Sequence, residues 1–89
     1  MRAVITVIGK DTVGILAGVS SSCAQHRVNV LEVTQSVLRE FFAMMMLVDL
    51  AQADIPFSAF AEEMEGLGRQ MGLSVHVMHE DVFTSMHEV

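Results

Sequence analysis

Residues 41–50, FFAMMMLVDL, constrain this chain more than any other stretch. Every position except Asp49 is apolar, and the run lies between Arg39-Glu40 and the polar connector AQAD, which reads as a strand. Side chains of a strand alternate between two faces. Phe42, Met44, Met46, Val48 and Leu50 therefore share one face, and Phe41, Ala43, Met45 and Leu47 share the other. A sheet with helices on one side only should show polar residues on the other. Here both faces need cover, so the C-terminal tail, a second copy of the chain, or both must lie over the second face. The unbroken apolar run, Phe41 to Val48, is far short of the roughly 20 residues that span a bilayer.

The flanking segments supply the rest of a fold. RAVITVI (2–8) is β-branched and ends at Gly9, and GKDTVG (9–14) reads as a turn-rich loop with Asp11 and Thr12 as candidate helix caps. Ile15, Leu16, Val19, Cys23 and His26 then form a helical stripe. VNVLEVTQSVL (28–38) is a strand joined to 41–50 through Arg39-Glu40, a two-residue connection without the Asn-Gly or Asp-Gly of the tightest hairpins. Asp54 is a candidate cap for a second helix with Pro56 in its first turn. That helix carries Phe57, Phe60, Ala61, Met64, Leu67 and Met71 on one stripe and stops at Gly72. LSVHVMH (73–79) alternates, and EDVFTSMHEV is expected to form a short helix capped by Asp81 that buries Val82, Phe83 and Met86. The order predicts an α+β, ferredoxin-like βαββαβ fold, a four-stranded antiparallel sheet with two helices on one face and a short C-terminal helical tail.

Length and charge limit the function. Eighty-nine residues make one domain, 1–89, of which 80–89 is the tail. A formal net charge of −6 argues against nucleic acid or an anionic membrane as partner, since either needs a basic face. The N-terminal segment has no signal-peptide pattern, and Cys23 is the single cysteine, which fits a reducing cytoplasm. A mean hydropathy of +0.47 is high for so small a domain and points to an oligomer; the apolar strand face and the unpaired sheet edges make a homodimer the expectation.

The run GKDTVGILAGVSSSCAQHRVNVLEVTQ resembles the first half of an ACT domain: a strand, a G-x-D-x-x-G loop, a helix, then V-N-I opening the second strand. The resemblance extends over essentially the whole chain, and TQSVL…FFAMMM with the tail is similar to small stand-alone ACT proteins. It implies a non-catalytic regulatory module that binds an amino acid or similar small metabolite, without a cofactor. It also implies paired subunits, with ligand between the first loop and helix of one copy and a strand of its neighbour, and a regulated enzyme or regulator as a further partner. Two residues depart from the family pattern: Val13 stands where Pro is frequent, and Arg27 where Gly is usual. If Arg27 is left-handed, the cost is on the order of 1 kcal/mol.

The residues themselves leave alternatives open. The amides at the start of the first helix, around Val13, Gly14, Ile15 and Leu16, lack intrahelical acceptors and favour an anion such as a carboxylate. Asp11 can meet an ammonium, Asn29 can offer its amide, and Thr12 completes the loop; the competing reading is a turn in which Asp11 or Thr12 simply caps the helix. Ile15 and Leu16 stand where a phosphate-binding P-loop requires Lys and Ser or Thr. His76, His79 and His87 do not make a metal site, because His76 and His79 point to opposite faces of a strand. Met44, Met45 and Met46 are core filling, Cys23 is a buried thiol and His26 a partly buried packing residue. A docking module without a ligand is the main rival reading. An enzyme of the acylphosphatase type ranks below it, because the loop offers Lys10 beside Asp11 and no Arg to cradle a phosphate. An RNA-recognition domain shares the topology but needs a basic, aromatic central strand.

Overall fold

The structure, a computed structural model, describes residues 1–10 and 14–87, with the side chain of His87 excluded. Its elements are β1 (Arg2–Lys10), α1 (Ile15–Gln25), β2 (Asn29–Leu38), β3 (Phe41–Asp49), α2 (Phe57–Met71), β4 (Ser74–His79) and α3 (Glu80–His87). The strands form one antiparallel sheet in the order β2-β3-β1-β4, so the ferredoxin-like architecture is observed. Ala3, Ile5 and Val7 of β1 and Phe42, Met44, Met46 and Val48 of β3 meet Ile15, Val19 and Cys23 of α1 and Phe60 and Met64 of α2 in a single core. The shortest molecular dimension is 19 Å, which is one sheet plus one helix layer.

β1 runs two residues further than its composition implied. Gly9 does not end the strand but pairs with Phe42, and Lys10 pairs with Phe41. A Cβ at Gly9 would collide with Leu73, so glycine serves close approach here rather than termination. β2 carries a bulge: Val30 pairs with Val48 and Glu32 with Leu47, leaving Leu31 as the extra residue. Beyond it, Glu32, Thr34, Ser36 and Leu38 share the open face with Leu47, Met45, Ala43 and Phe41. The β2–β3 hairpin closes in two residues, with Arg39 at φ 58° taking the left-handed role that Asn or Gly fills in tighter hairpins.

Both long helices end in the same motif. Leu73 and Gly72 donate to the carbonyls of Gly68 and Arg69 at 2.8 and 3.3 Å, and Val28 and Arg27 donate to those of Cys23 and Ala24 at 2.9 and 3.2 Å. The left-handed residue is Gly72 in α2, as expected, and Arg27 in α1, at φ 61°. Asp54 does not cap α2: Pro56 is the N-cap residue, and the Asp54 carboxylate turns to His26 instead.

The tail is helical, but it begins two residues earlier than a cap at Asp81 implies. The Asp81 amide donates to Nδ1 of His79 at 3.0 Å, so a histidine at the end of β4 caps α3. Arg2 ties the helix down through Glu80 at 2.7 Å. Phe83 is half-buried, but Val82 and Met86 are 50% and 65% exposed, so their expected burial does not occur within one chain. An eight-residue helix lying on β1 and β4 is too short to cover a four-stranded face. At the far end of that face Ile8, Leu38 and Phe41 remain bare.

Candidate functional site

The loop singled out by the sequence joins β1 to α1. Asp11, Thr12 and Val13 lie outside the described residues, while Gly14, Ile15, Leu16 and Asn29 lie within them. Gly14 is the N-cap residue of α1 at φ 86°, ψ 9°, a left-handed conformation that L side chains rarely adopt. A Cβ at Gly14 meets nothing within 4 Å among the described residues, so backbone conformation rather than space selects glycine. Its carbonyl accepts from the Gly18 amide at 2.9 Å, which leaves the amides of Ile15, Leu16 and Ala17 without an acceptor inside the helix. The cap residue makes no side-chain hydrogen bond, and the first turn of α1 contains no acid. The positive end of the helix dipole is therefore not answered from within the helix, which suits a small carboxylate.

Ile15 is buried and anchors this end of α1, whereas Leu16 is exposed and turned away from the core. The sequence stripe had placed Leu16 inside; Ser22 occupies a buried position of α1 beside Val19 and Cys23 instead. Asn29 is not brought to the loop within one chain. It is in register with Asp49, and Asp49 with Arg2, at the end of the sheet opposite Lys10. The length of β1, about 26 Å of extended chain, separates the two ends. The cause is topological: α1 runs back along β1, so the start of α1 and the start of β2 fall at opposite ends.

Two other groups of the α1 region are structural. Cys23 is fully buried, and burial pushes its thiol pKa up to about 11, which makes it inert as a nucleophile. His26 joins three segments: Nδ1 lies 3.0 Å from the Asp54 carboxylate, Nε2 contacts Glu63 of α2, and its carbonyl accepts from the Asp54 amide at 3.1 Å. The hydrogen bond to Asp54 raises the imidazole pKa; partial desolvation opposes the shift and Glu63 adds to it.

A concavity of about 280 Å³ lies on the open face between α3 and the β2 edge. Val4, Met45 and Leu47 form its apolar floor, and Phe83 stands on the α3 side. Glu80 and Thr84 border it from α3, Glu32 and Thr34 from β2. Sequence reasoning missed it, because the facing of Glu32 and Thr34 depends on the bulge at Leu31. The one available signal was the polar alternation Glu32, Thr34, Ser36, which marks the open face once the register is known.

A four-stranded βαββαβ sheet with both long helices on one face defines a ferredoxin-like domain, a frame that many unrelated functions share. The chain belongs to the ACT-domain family, whose model matches residues 2–78. Within that class it is similar to a UPF0237 protein of Methanopyrus kandleri, 50% identical over 88 residues that cover 99% of this chain and 98% of the relative. Among solved structures it is similar to an ACT domain protein from Streptococcus pneumoniae, with a TM-score of 0.81 and 35% identity, covering 93% of each chain. The ligand-free regulatory subunit of aspartate kinase from Thermus thermophilus superposes with a TM-score of 0.66 at 26% identity, covering 89% of this chain and 51% of that one. α3 falls outside the residues that the family model matches. No helix among the described residues is long and apolar enough to cross a membrane.

Proposed function

We propose that this chain is a stand-alone ACT regulatory module of the cytoplasm, which binds an amino acid or similar small carboxylate at the junction of the β1–α1 loop with α1, performs no chemistry and acts as a homodimer on a regulated enzyme or regulator. The observation that carries the reading is the left-handed Gly14 at the N-cap of α1, ahead of three amides without intrahelical acceptors. The carboxylate takes the amides of Ile15 and Leu16, Asp11 meets the ammonium, and Thr12 and Val13 complete the loop. Asn29 joins the site only from a second copy, because its own loop lies at the other end of the sheet. The resemblance to a regulatory subunit of aspartate kinase supports a regulatory role.

The test is a thermal-shift screen of the twenty amino acids, followed by calorimetry, since a ligand that binds only the folded state raises its stability. One amino acid should raise the melting temperature, and Gly14→Val and Asp11→Ala should remove that rise while leaving a folded protein. No binding by any amino acid or small carboxylate at millimolar concentration (affinity weaker than about 4 kcal/mol) would overturn the reading. A docking module without a ligand would then replace it. The bare apolar end of the open face, with Leu38 74% exposed, favours that second reading.

A further inference from the structure

The concavity under α3 has no part in the reading above, and its chemistry differs from that of the loop. We propose that it is a separate binding site for a small organic ammonium ion with a compact apolar body.

The volume of about 280 Å³ is at the lower end of ligand pockets and fits a body of a few carbon atoms. Val4 and Leu47, which lie side by side in the β1–β3 register, give that body an apolar floor, and Phe83 gives it an apolar wall. The charge balance then selects the head group. Of the two carboxylates at the rim, Glu80 is answered by Arg2, whose Nη2 lies 2.8 and 2.7 Å from its two oxygens. Glu32, on the opposite wall, has no hydrogen bond or ion pair among the described residues; Arg2 reaches it only through longer-range Coulombic attraction while bonded to Glu80, so the two carboxylates outnumber the one guanidinium at the rim. The excess of carboxylates over Arg2 disfavours an anion there, and a neutral molecule leaves that excess in place. A primary ammonium sets one N–H on Glu32 and has hydroxyl acceptors in Thr34 and Thr84 for the others. The site stands on the sheet together with α3, which lies outside the family match, and it does not depend on the loop at Gly14.

The probe is isopentylamine, measured by calorimetry and by the methyl resonance of Met45 in the full chain. Isopentanol and isovalerate serve as neutral and anionic isosteres. The amine should bind at millimolar concentration and move the Met45 methyl signal, with the alcohol and the acid weaker by roughly tenfold or more. Glu32→Gln should cost a similar factor and Glu32→Asp less; both lie on an exposed edge strand, where folding tolerates the change. Gly14→Val should leave amine binding intact, which separates this site from the loop. Equal binding of amine and alcohol, indifference to Glu32→Gln, loss of amine binding in Gly14→Val, or no amine binding up to about 10 mM would each overturn the proposal.

Discussion

Arg27 shows how a single residue works against an otherwise consistent fold. It holds the left-handed position that closes α1, where its own amide donates to the Ala24 carbonyl and that of Val28 to Cys23, a position that in α2 belongs to Gly72. Arg27→Gly should therefore stabilise the chain by about 1 kcal/mol, seen as a rise in melting temperature of roughly 4–8 °C. Gly72→Ala should lower stability by a similar amount. The departure was visible in the sequence only against the ACT-family pattern, in which a Gly is usual at that position. His26 was less legible: its place on the apolar stripe is readable, but its carboxylate partners come from a connector and from α2. With its pKa raised from 6.5 by Asp54 first and Glu63 as well, His26 binds its proton more tightly in the folded chain than in the unfolded one. That contribution is complete below pH 6.5 and is lost as pH rises through the higher folded pKa. Urea denaturation across pH 5.5–8.5 (a window of about one to two units around the ordinary histidine value) should show the wild-type advantage over His26→Gln shrinking as pH rises. A constant difference would mean that His26 acts by packing alone.

Element order was readable because each segment carries its own period and its own stop. What stayed hidden are features set by pairing across the sheet. The bulge at Leu31 is one, since Val30 and Leu31 are both apolar and local pattern cannot say which is the extra residue. The extension of β1 through Gly9 is another, because it depends on the close passage of Leu73. α3 is a third: its existence follows from its composition, but its cap comes from His79 and its anchor from Arg2. Removing residues 80–89 uncovers Val4, which is only 5% exposed beneath the tail, and should lower the melting temperature or change the solution mass. Phe83→Ala should reproduce part of that loss, roughly 1 kcal/mol for a half-buried ring. Met86→Ser, at a position 65% exposed, should leave the stability of the protomer within about 0.5 kcal/mol. If Met86 lies against a second copy, the same substitution weakens association instead.

At the scale of the molecule, two layers serve a sheet in which β3, one of its two central strands, is apolar on both sides. α1 and α2 cover one face, α3 covers part of the other, and the end bearing Ile8, Leu38 and Phe41 is left bare. A sheet face within molecular extents of 36 × 35 Å has room for an interface of about 800 Å² per copy, the usual size of a stable one. Sedimentation at tens of micromolar (roughly the working range for a micromolar dimer) should therefore give a dimer. Leu38→Glu and Phe41→Glu, which charge the bare end, should shift it to monomer. A strict monomer in the wild type would mean that the exposed apolar end serves a different protein. The candidate ligand site was legible only in its first half: the glycine and the helix start can be read from spacing, whereas the location of Asn29 requires knowing that α1 doubles back along β1.

The bulge at Leu31 has a consequence for solubility. β2 is a ten-residue edge strand without proline, and past the bulge Glu32 is its only charged residue. Such an edge is a template on which an incoming strand can polymerise into fibrils. The extra residue interrupts the row of free amides and carbonyls, so a strand that docks on Asn29 and Val30 loses register before it reaches Val33. Deleting Leu31 would restore regular alternation, with Val30 inward and Glu32 outward as now, and would keep the hairpin to β3. The cost would appear as lost colloidal protection, with thioflavin-positive aggregates forming sooner than in the wild type at equal concentration. On this account the irregularity lets an exposed strand edge remain in solution without becoming a seed.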